Sequence, residues 1–431
     1  MLTPEQRREK IWDVVRVSSG NFLEMYDFFV YGYFAVYIAK TFFPTGNAFT
    51  SLMLSLGTFA AGFLMRPLGG LILGSYIDRK GRRTGLILTL GLMAIGTFTI
   101  ALTPGYETIG LIAPLIVLAG RLIQGFSAGV ELGGVSVYLA EIATPGHRGF
   151  YCSWQSASQQ VAVIFASLLG VLVNTLIPPE QMVAWGWRIP ILVGCLIIPL
   201  ILILRRSLKE TDAFKAQKHH PSASEVLRII ADNWTLVLSG VMLSSLTTTT
   251  FYLITAYTPT YGKSVLHFAD IQSLLITLCI GVSNLFWLPV GGAISDRIGR
   301  RPMLIAIPLA AILTAYPLMS WLVSAPSFGH LLMVLLWFSV IFGTYNGAMI
   351  PFLTEMMPPL VRTAGFSLAF SGATAIFGGM TPAVCTFLIH WTGNPAMPGA
   401  WLTFPALLAL GAAFLTRPYT EATPSAAGAP A

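Results

Sequence analysis

The chain is poor in charge. Of its 431 residues only 10% are Asp, Glu, Lys or Arg, while 55% are hydrophobic. Soluble domains carry about 25% charged residues, so a chain this apolar cannot cover a water-facing surface and must sit in lipid. Cysteine is scarce too. Cys152, Cys195, Cys279 and Cys385 lie far apart, in or beside apolar runs, with neither metal-ligand spacing nor a disulfide framework. They read as small buried apolar residues. The six histidines form no HxxxH or HExxH pattern, and neither a metal nor a cofactor is expected. There is no GxxxxGK[ST] phosphate loop and no soluble stretch long enough to carry one, which excludes an ATP-driven pump. Without a nucleophile–base or metal cluster, enzyme chemistry is not expected. The first sixteen residues are polar, and the apolar run behind them is too long for a signal-peptide core. A cytoplasmic tail and a retained first helix are the expectation.

What the chain does have is a succession of long apolar runs. A membrane-spanning helix needs about 20 mostly apolar residues. Runs of that kind fall at 17–39, 51–76, 84–103, 110–140, 150–175, 187–204, 235–259, 270–294, 302–323, 330–354, 364–390 and 398–416. This predicts an all-α membrane protein of about twelve transmembrane helices in two six-helix halves, 17–204 and 235–416. The stretch 205–234 is too polar to span. It holds Arg205, Arg206, Lys209, Lys215, Lys218 and Arg228 with Glu210, Asp212, Glu225 and Asp232, and reads as the linker between the halves. The tail 417–431, rich in Ala and Pro, reads as disordered.

Basic residues set the orientation. Twenty of the 25 fall on one set of connections: the N-terminal tail, the loop after the second run (Arg79, Lys80, Arg82, Arg83), Arg148, the central linker, Arg297, Arg300, Arg301, Arg362 and Arg417. The opposite connections hold only Lys40, Arg188 and Lys263. The basic side is cytoplasmic in a bacterial inner-membrane protein, which puts both termini and the linker inside. A net charge of +7 is therefore a topology signal, and no nucleic-acid partner is expected.

The sequence also repeats itself. Gly74-Ser-Tyr-Ile-Asp78-Arg79-Lys-Gly81-Arg82-Arg83 returns as Gly292-Ala-Ile-Ser-Asp296-Arg297-Ile-Gly299-Arg300-Arg301. Glu141 and Arg148, seven apart after the fourth run, return as Glu355 and Arg362 after the tenth. Parallel repeats of this kind mark transporters whose halves rock about a central site. In these loops an aspartate can cap the next helix or pair with an arginine of a neighbouring loop, forming a cytoplasmic latch. The gating candidates are Asp78, Arg79, Arg82, Glu141, Arg148, Asp296, Arg297, Arg300, Glu355 and Arg362.

The GxxxDRxGRR loop in two copies resembles the major facilitator superfamily over essentially the whole chain. Gly20-Asn21-Phe22-Leu23-Glu24-Met25-Tyr26-Asp27-Phe28-Phe29-Val30-Tyr31-Gly32, Arg66-Pro67-Leu68-Gly69, Arg121-Leu-Ile-Gln124-Gly125-Phe-Ser-Ala-Gly129-Val-Glu131 and Trp187-Arg188-Ile189-Pro190 resemble signatures of its metabolite–proton symporter branch. The likeness implies cation-coupled import of a small carboxylate, citrate or a related di- or tricarboxylate, with 2-oxoglutarate, tricarballylate and shikimate as alternatives. It implies a proton as coupling ion, with sodium left open. The partners implied are that carboxylate, the coupling cation and the lipid bilayer, with the monomer as working unit. A channel or a non-transporting receptor is the alternative class.

Charges inside the membrane are costly, roughly 2.5–3.5 kcal/mol at a helix centre on insertion scales, so each must face a partner or a watery cavity. Arg66 precedes Asp78 by twelve residues and Arg121 precedes Glu141 by twenty, which puts them about 18 and 30 Å from the cytoplasmic edge at ~1.5 Å per residue. Each carries a permanent charge and a planar fork that matches carboxylate. Either can clamp an anion, or can neutralise an internal acid. Glu24, Asp27 and Glu131 can load and release the coupling ion, or pair with the arginines. Asn21, Tyr26 and Gln124 stand in the same signatures and, with Gln159, Tyr345 and Asn346, complete the candidate substrate contacts. The second half offers only neutral polar groups at depth: Ser244, Ser245, Thr247–Thr250, Tyr252, Asn284, Tyr345 and Asn346. Gly125, Gly129, Gly133, Gly134, Gly343 and Gly347 read as close-packing positions, and Pro259, Pro289, Pro351 and Pro382 as kinks or helix ends.

Overall fold

Long apolar runs have only one way to satisfy their backbone in lipid, which is to fold as helix. The computed structural model describes residues 4–70, 72–73, 82–129, 131–206, 222–357 and 362–416, and among them it contains helices and no strand. In the first half these are α1 (Pro4–Tyr33), α2 (Ala35–Phe42), α3 (Ala48–Leu64), α4 (Arg82–Leu102), α5 (Ile112–Ala128), α6 (Glu131–Ile142), α7 (Arg148–Leu176) and α8 (Arg188–Arg206). The second half contains α9 (Trp234–Ile254), α10 (Asp270–Ile298), α11 (Arg300–Ser324), α12 (Phe328–Met356), α13 (Arg362–Ala373), α14 (Thr381–Thr392) and α15 (Met397–Leu415).

Among the described residues eight helices are long and apolar enough to cross a membrane. A ninth arises if Pro179–Gly186 and Arg188–Leu200, bent by 45°, form one span. Leu88–Leu102 and Ile112–Ala128 are shorter apolar helices, and α1 carries Glu24 and Asp27 in its apolar stretch. Each of the twelve expected runs falls on one of these helices or broken pairs.

Boundaries differ from the sequence reading where the chain bends. The first helix begins at Pro4, inside the expected tail. The run 110–140 is interrupted after Ala128, and 235–259 ends at Ile254, with Pro259 in the first turn of a short helix, Thr258–Ser264. The run 364–390 is broken by a π-helical turn at Thr374–Gly378, and Pro382 opens α14. Pro289 and Pro351 lie inside α10 and α12. The expected linker contains a helix, Ala223–Asp232. The expected disordered tail, 417–431, lies outside the described residues. Cys152, Cys195 and Cys385 are buried as expected, but Cys279 is exposed.

In lipid no hydrophobic effect draws helices together, so close backbone approach does. A Cβ on Gly125 would collide with the Gly62 carbonyl, and one on Gly129 with the Arg66 carbonyl, so α5 and the Ala48–Gly70 segment touch backbone to backbone. Gly343 and Gly347 on α12 do the same against Trp287 and Gly292 of α10. The halves meet along α7 and α10. There Gln160 accepts from Asn284 at 2.9 Å, and Ser339 donates to Asn284 at 2.6 Å.

Candidate functional site

The close approach of α3 and α5 fixes where two arginines point. Both Arg66 and Arg121 are fully buried, and both guanidinium groups lie over the ring of Phe28, at 4.7 and 4.1 Å. Arg66 also covers Phe63 at 4.5 Å, and Arg121 covers Tyr31 at 4.7 Å and Phe59 at 5.2 Å. A cation over a ring face is attracted by the ring's quadrupole, by ~2 kcal/mol or more where water is excluded. This aromatic cage offsets part of the desolvation cost of each charge.

The two arginines differ in their partners. Arg66 Nη2 stands 3.3 Å from Glu24 Oε1, with both side chains buried. Arg121 meets no carboxylate within ion-pair distance among the described residues. Its Nη1 donates to Gln124 Oε1 at 2.9 Å. Gln124 Nε2 donates to Thr97 Oγ1 at 3.1 Å, and Thr97 donates to Asp27 Oδ2. Among the described residues Arg121 Nε and Nη2 have no hydrogen-bond partner. These two N–H groups form one edge of the guanidinium, the edge that takes a carboxylate two-pronged. Gly62 packs close by, where a Cβ would stand 3.5 Å from both nitrogens. A buried cation with one whole edge unsatisfied is costly.

Glu24 and Asp27 come from one helix, three residues apart, and face different neighbours. Glu24 meets Arg66 on the α3 side, whereas Asp27 meets Thr97 on α4 and fills the space that a Cβ on Gly194 of α8 would take. Among the described residues Asp27 Oδ1 has no hydrogen-bond partner.

The other candidate substrate contacts are scattered. Tyr26 is tied to the Pro190 carbonyl at 2.5 Å. Asn21 is fully buried with neither amide atom hydrogen-bonded. Gln159 is buried on α7. Tyr345 donates to the Leu243 carbonyl at 2.8 Å, and Asn346 to Thr247 at 2.9 Å. The Thr247–Thr250 run turns largely inward on itself, with Thr248 and Thr250 bonded to carbonyls of their own helix. The Tyr252 ring stands edge-on to Phe63 at 5.0 Å, so the second half closes over the cage.

Charged contacts cross between the halves at both ends. At the basic end Asp296 accepts the backbone N–H groups of Gly149 and Phe150 at 2.9 and 3.0 Å. It therefore caps α7 of the opposite half rather than the next helix of its own. Arg300 pairs with Asp296 at 2.8 Å and with Glu355 at 3.6 Å, and Glu355 reaches Arg148 at 3.8 Å. Arg297 is exposed. Asp78 and Arg79 lie outside the described residues, as do the side chains of Arg82, Glu131, Glu141 and Arg362. At the other end Lys263 pairs with Asp270 at 2.8 Å and donates to the Tyr37 hydroxyl at 2.9 Å, and Tyr37 bonds Asp270. Phe49 stacks on His390 there at 3.7 Å.

A model of the Major Facilitator Superfamily matches residues 17–382. The chain belongs to the major facilitator superfamily. It is 59% identical over 399 residues to a citrate–proton symporter of Salmonella typhi, covering 93% of this chain and 92% of that one. It is 58% identical to a citrate–proton symporter of Klebsiella pneumoniae, covering 93% and 90%. In three dimensions it is similar to the crystal structure of a D-xylose–proton symporter, with a TM-score of 0.74, 19% identity, and 92% and 96% coverage. This major facilitator protein is thus a multi-pass inner-membrane protein with the fold expected from its repeat.

Sequence reasoning found the buried charges and missed what surrounds them. Phe28, Tyr31, Phe59 and Phe63 stand three or four residues apart on their helices, which is also core spacing, and the chain has 27 phenylalanines. Thr97 carried no signal, because threonine in an apolar helix usually bonds its own backbone.

Proposed function

We propose that this chain imports citrate, or a related di- or tricarboxylate, together with a proton, by alternating access between its two halves. The observation that carries the reading is the unsatisfied edge of Arg121, a permanent charge held by an aromatic cage in a buried site that the second half covers. Citrate–proton symporters at 58–59% identity over 93% of the chain support the substrate and the ion. In this reading Arg121 clamps one substrate carboxylate and Arg66 stays with Glu24 as a brace. Asp27 carries the proton, and Glu131 stands by as a second carboxylate. Asn21, Tyr26, Gln159, Tyr345 and Asn346 are the remaining candidate contacts, whereas the Gln124 amide is taken up by Arg121 and Thr97. The cross-half pairs at the two ends act as gates that open in turn, the basic end being cytoplasmic.

The test is uptake of labelled citrate by the purified protein in liposomes under imposed pH or sodium gradients. Accumulation driven by an inward proton gradient, competed by unlabelled di- and tricarboxylates, is expected. Accumulation driven only by sodium would replace the proton in this account. Uptake that neither saturates nor responds to any gradient would point to a channel.

A further inference from the structure

A symporter must make the binding of one cargo favour the other, and such coupling is a free energy shared between two sites. Here the two sites are Arg121 and Asp27. They make no direct ion pair, but two side chains join them. Arg121 Nη1 donates to Gln124 Oε1 at 2.9 Å, and Gln124 Nε2 donates to Thr97 Oγ1 at 3.1 Å. Thr97 in turn donates to Asp27 Oδ2.

The direction of this chain is fixed by chemistry. Arginine can only donate, so the Gln124 oxygen must face Arg121 and its nitrogen must face Thr97. Thr97 then accepts from Gln124 and has a single proton left to give. That proton has two acceptors within reach, Asp27 Oδ2 and the Met93 carbonyl of its own helix at 3.0 Å. An ionised Asp27 takes it; a neutral Asp27 competes poorly with the carbonyl. Thr97 is therefore a two-position element at the end of a one-way donor chain. Among the described residues the other titratable groups facing Asp27 are Tyr26 on its own helix and Cys195 on α8, both neutral, while Glu24 and Arg66 form their own pair.

We propose that Thr97 and Gln124 are positioning residues that couple substrate binding at Arg121 to proton binding at Asp27. This rests on the functional reading above. In the empty site the Asp27 carboxylate balances Arg121 through the relay. When a substrate carboxylate takes the unpaired Nε–Nη2 edge, it becomes the counter-charge. A proton from bulk water then adds to Asp27 Oδ1, the oxygen without a hydrogen-bond partner. One O–H bond of a hydronium ion breaks as the Asp27 O–H bond forms, and the one carboxylate held by Arg121 replaces the charge that Asp27 loses, so the Arg121 charge stays balanced, as a low-dielectric site requires; the other carboxylates of the substrate lie outside this exchange. As Asp27 becomes neutral, Thr97 turns to Met93, Gln124 is freed to follow, and Arg121 holds the substrate rather than the relay.

The experiment compares Thr97→Val, which keeps shape and removes the hydroxyl, with Thr97→Ser, which restores it. Gln124→Met is the second relay variant. Three quantities are read for each folded protein in liposomes or detergent: gradient-free citrate exchange, pH-driven citrate accumulation, and proton uptake per citrate bound, followed with an indicator dye. Couplings between sites typically amount to about 5–150-fold. The expected result is that Thr97→Val and Gln124→Met lose accumulation at least about tenfold more than exchange, and take up fewer protons per citrate, while Thr97→Ser recovers both. Accumulation and proton uptake at the wild-type level in either variant would overturn the relay. So would equal loss of exchange and accumulation, which assigns Thr97 to packing. Failure of the underlying reading looks different: the wild-type protein itself would bind no citrate, or Arg121→Gln would bind it unchanged.

Discussion

At Arg66 and Glu24 the guanidinium and the carboxylate are buried together, 3.3 Å apart. Removing one partner of such a pair strands the other charge, which typically costs 3–5 kcal/mol. Arg66→Met should therefore lower the melting temperature of the purified protein markedly, and Glu24→Leu added to it should recover most of the loss. A single variant as stable as the wild type would show that the pair is not a brace. The positions of these charges were legible in the sequence, because an ionisable residue inside an apolar run stands out. Their pairing was not. Glu24 and Asp27 sit one helical turn apart, and which of them meets Arg66 depends on the rotation of α1, set by packing around Phe28 and Tyr26. The cage was illegible for another reason: a phenylalanine that holds a cation and one that fills a core have the same spacing.

At the scale of the element, the two GxxxDRxGRR motifs read as parts of a latch on the basic side; contacts of the second copy are on view, while Asp78 and Arg79 of the first lie outside the described residues. What the sequence could not show is which helix the latch closes on. Asp296 binds the first amides of α7, across the interface, where a carboxylate also meets the positive end of the helix dipole. Loss of such a cap typically costs 0.5–2 kcal/mol, and here that cost falls on the closed state of the basic end. Cys152, fully buried one turn along α7, is a native reporter. Asp296→Asn should raise its alkylation rate about two- to thirtyfold, which is that energy at 1.4 kcal/mol per factor of ten; localisation by mass spectrometry separates it from exposed Cys279. An unchanged rate would remove Asp296 from the gate. Where α5 meets α3, by contrast, packing leaves no room at all. Gly125→Leu should abolish folded, monodisperse protein in size-exclusion chromatography, since even a Cβ there meets the Gly62 carbonyl.

Across the whole molecule, both ends of the interface between the halves are tied in this structure, and both arginines are out of the reach of solvent. The opposite end depends on the Tyr37–Lys263–Asp270 cluster, whose Lys263 and Asp270 side chains are only partly buried. Lys263→Gln should shift molecules toward opening there, read as a longer distance component between spin labels at Ala48 and Thr392; an unchanged distribution would mean that the Phe49–His390 stack and apolar packing hold that end without it. The architecture was readable at this scale because repeat, hydropathy and charge asymmetry agree.

The central claim is that the unsatisfied edge of Arg121 is there for an anionic cargo, and direct citrate binding tests it. Isothermal titration of the purified protein with citrate at fixed pH should give saturable binding, weakened about 10- to 150-fold in Arg121→Gln, since hydrogen bonds to a charged group contribute about 1.5–3 kcal/mol. Arg121→Gln binding citrate as tightly as the wild type, in protein of equal melting temperature, would contradict the account.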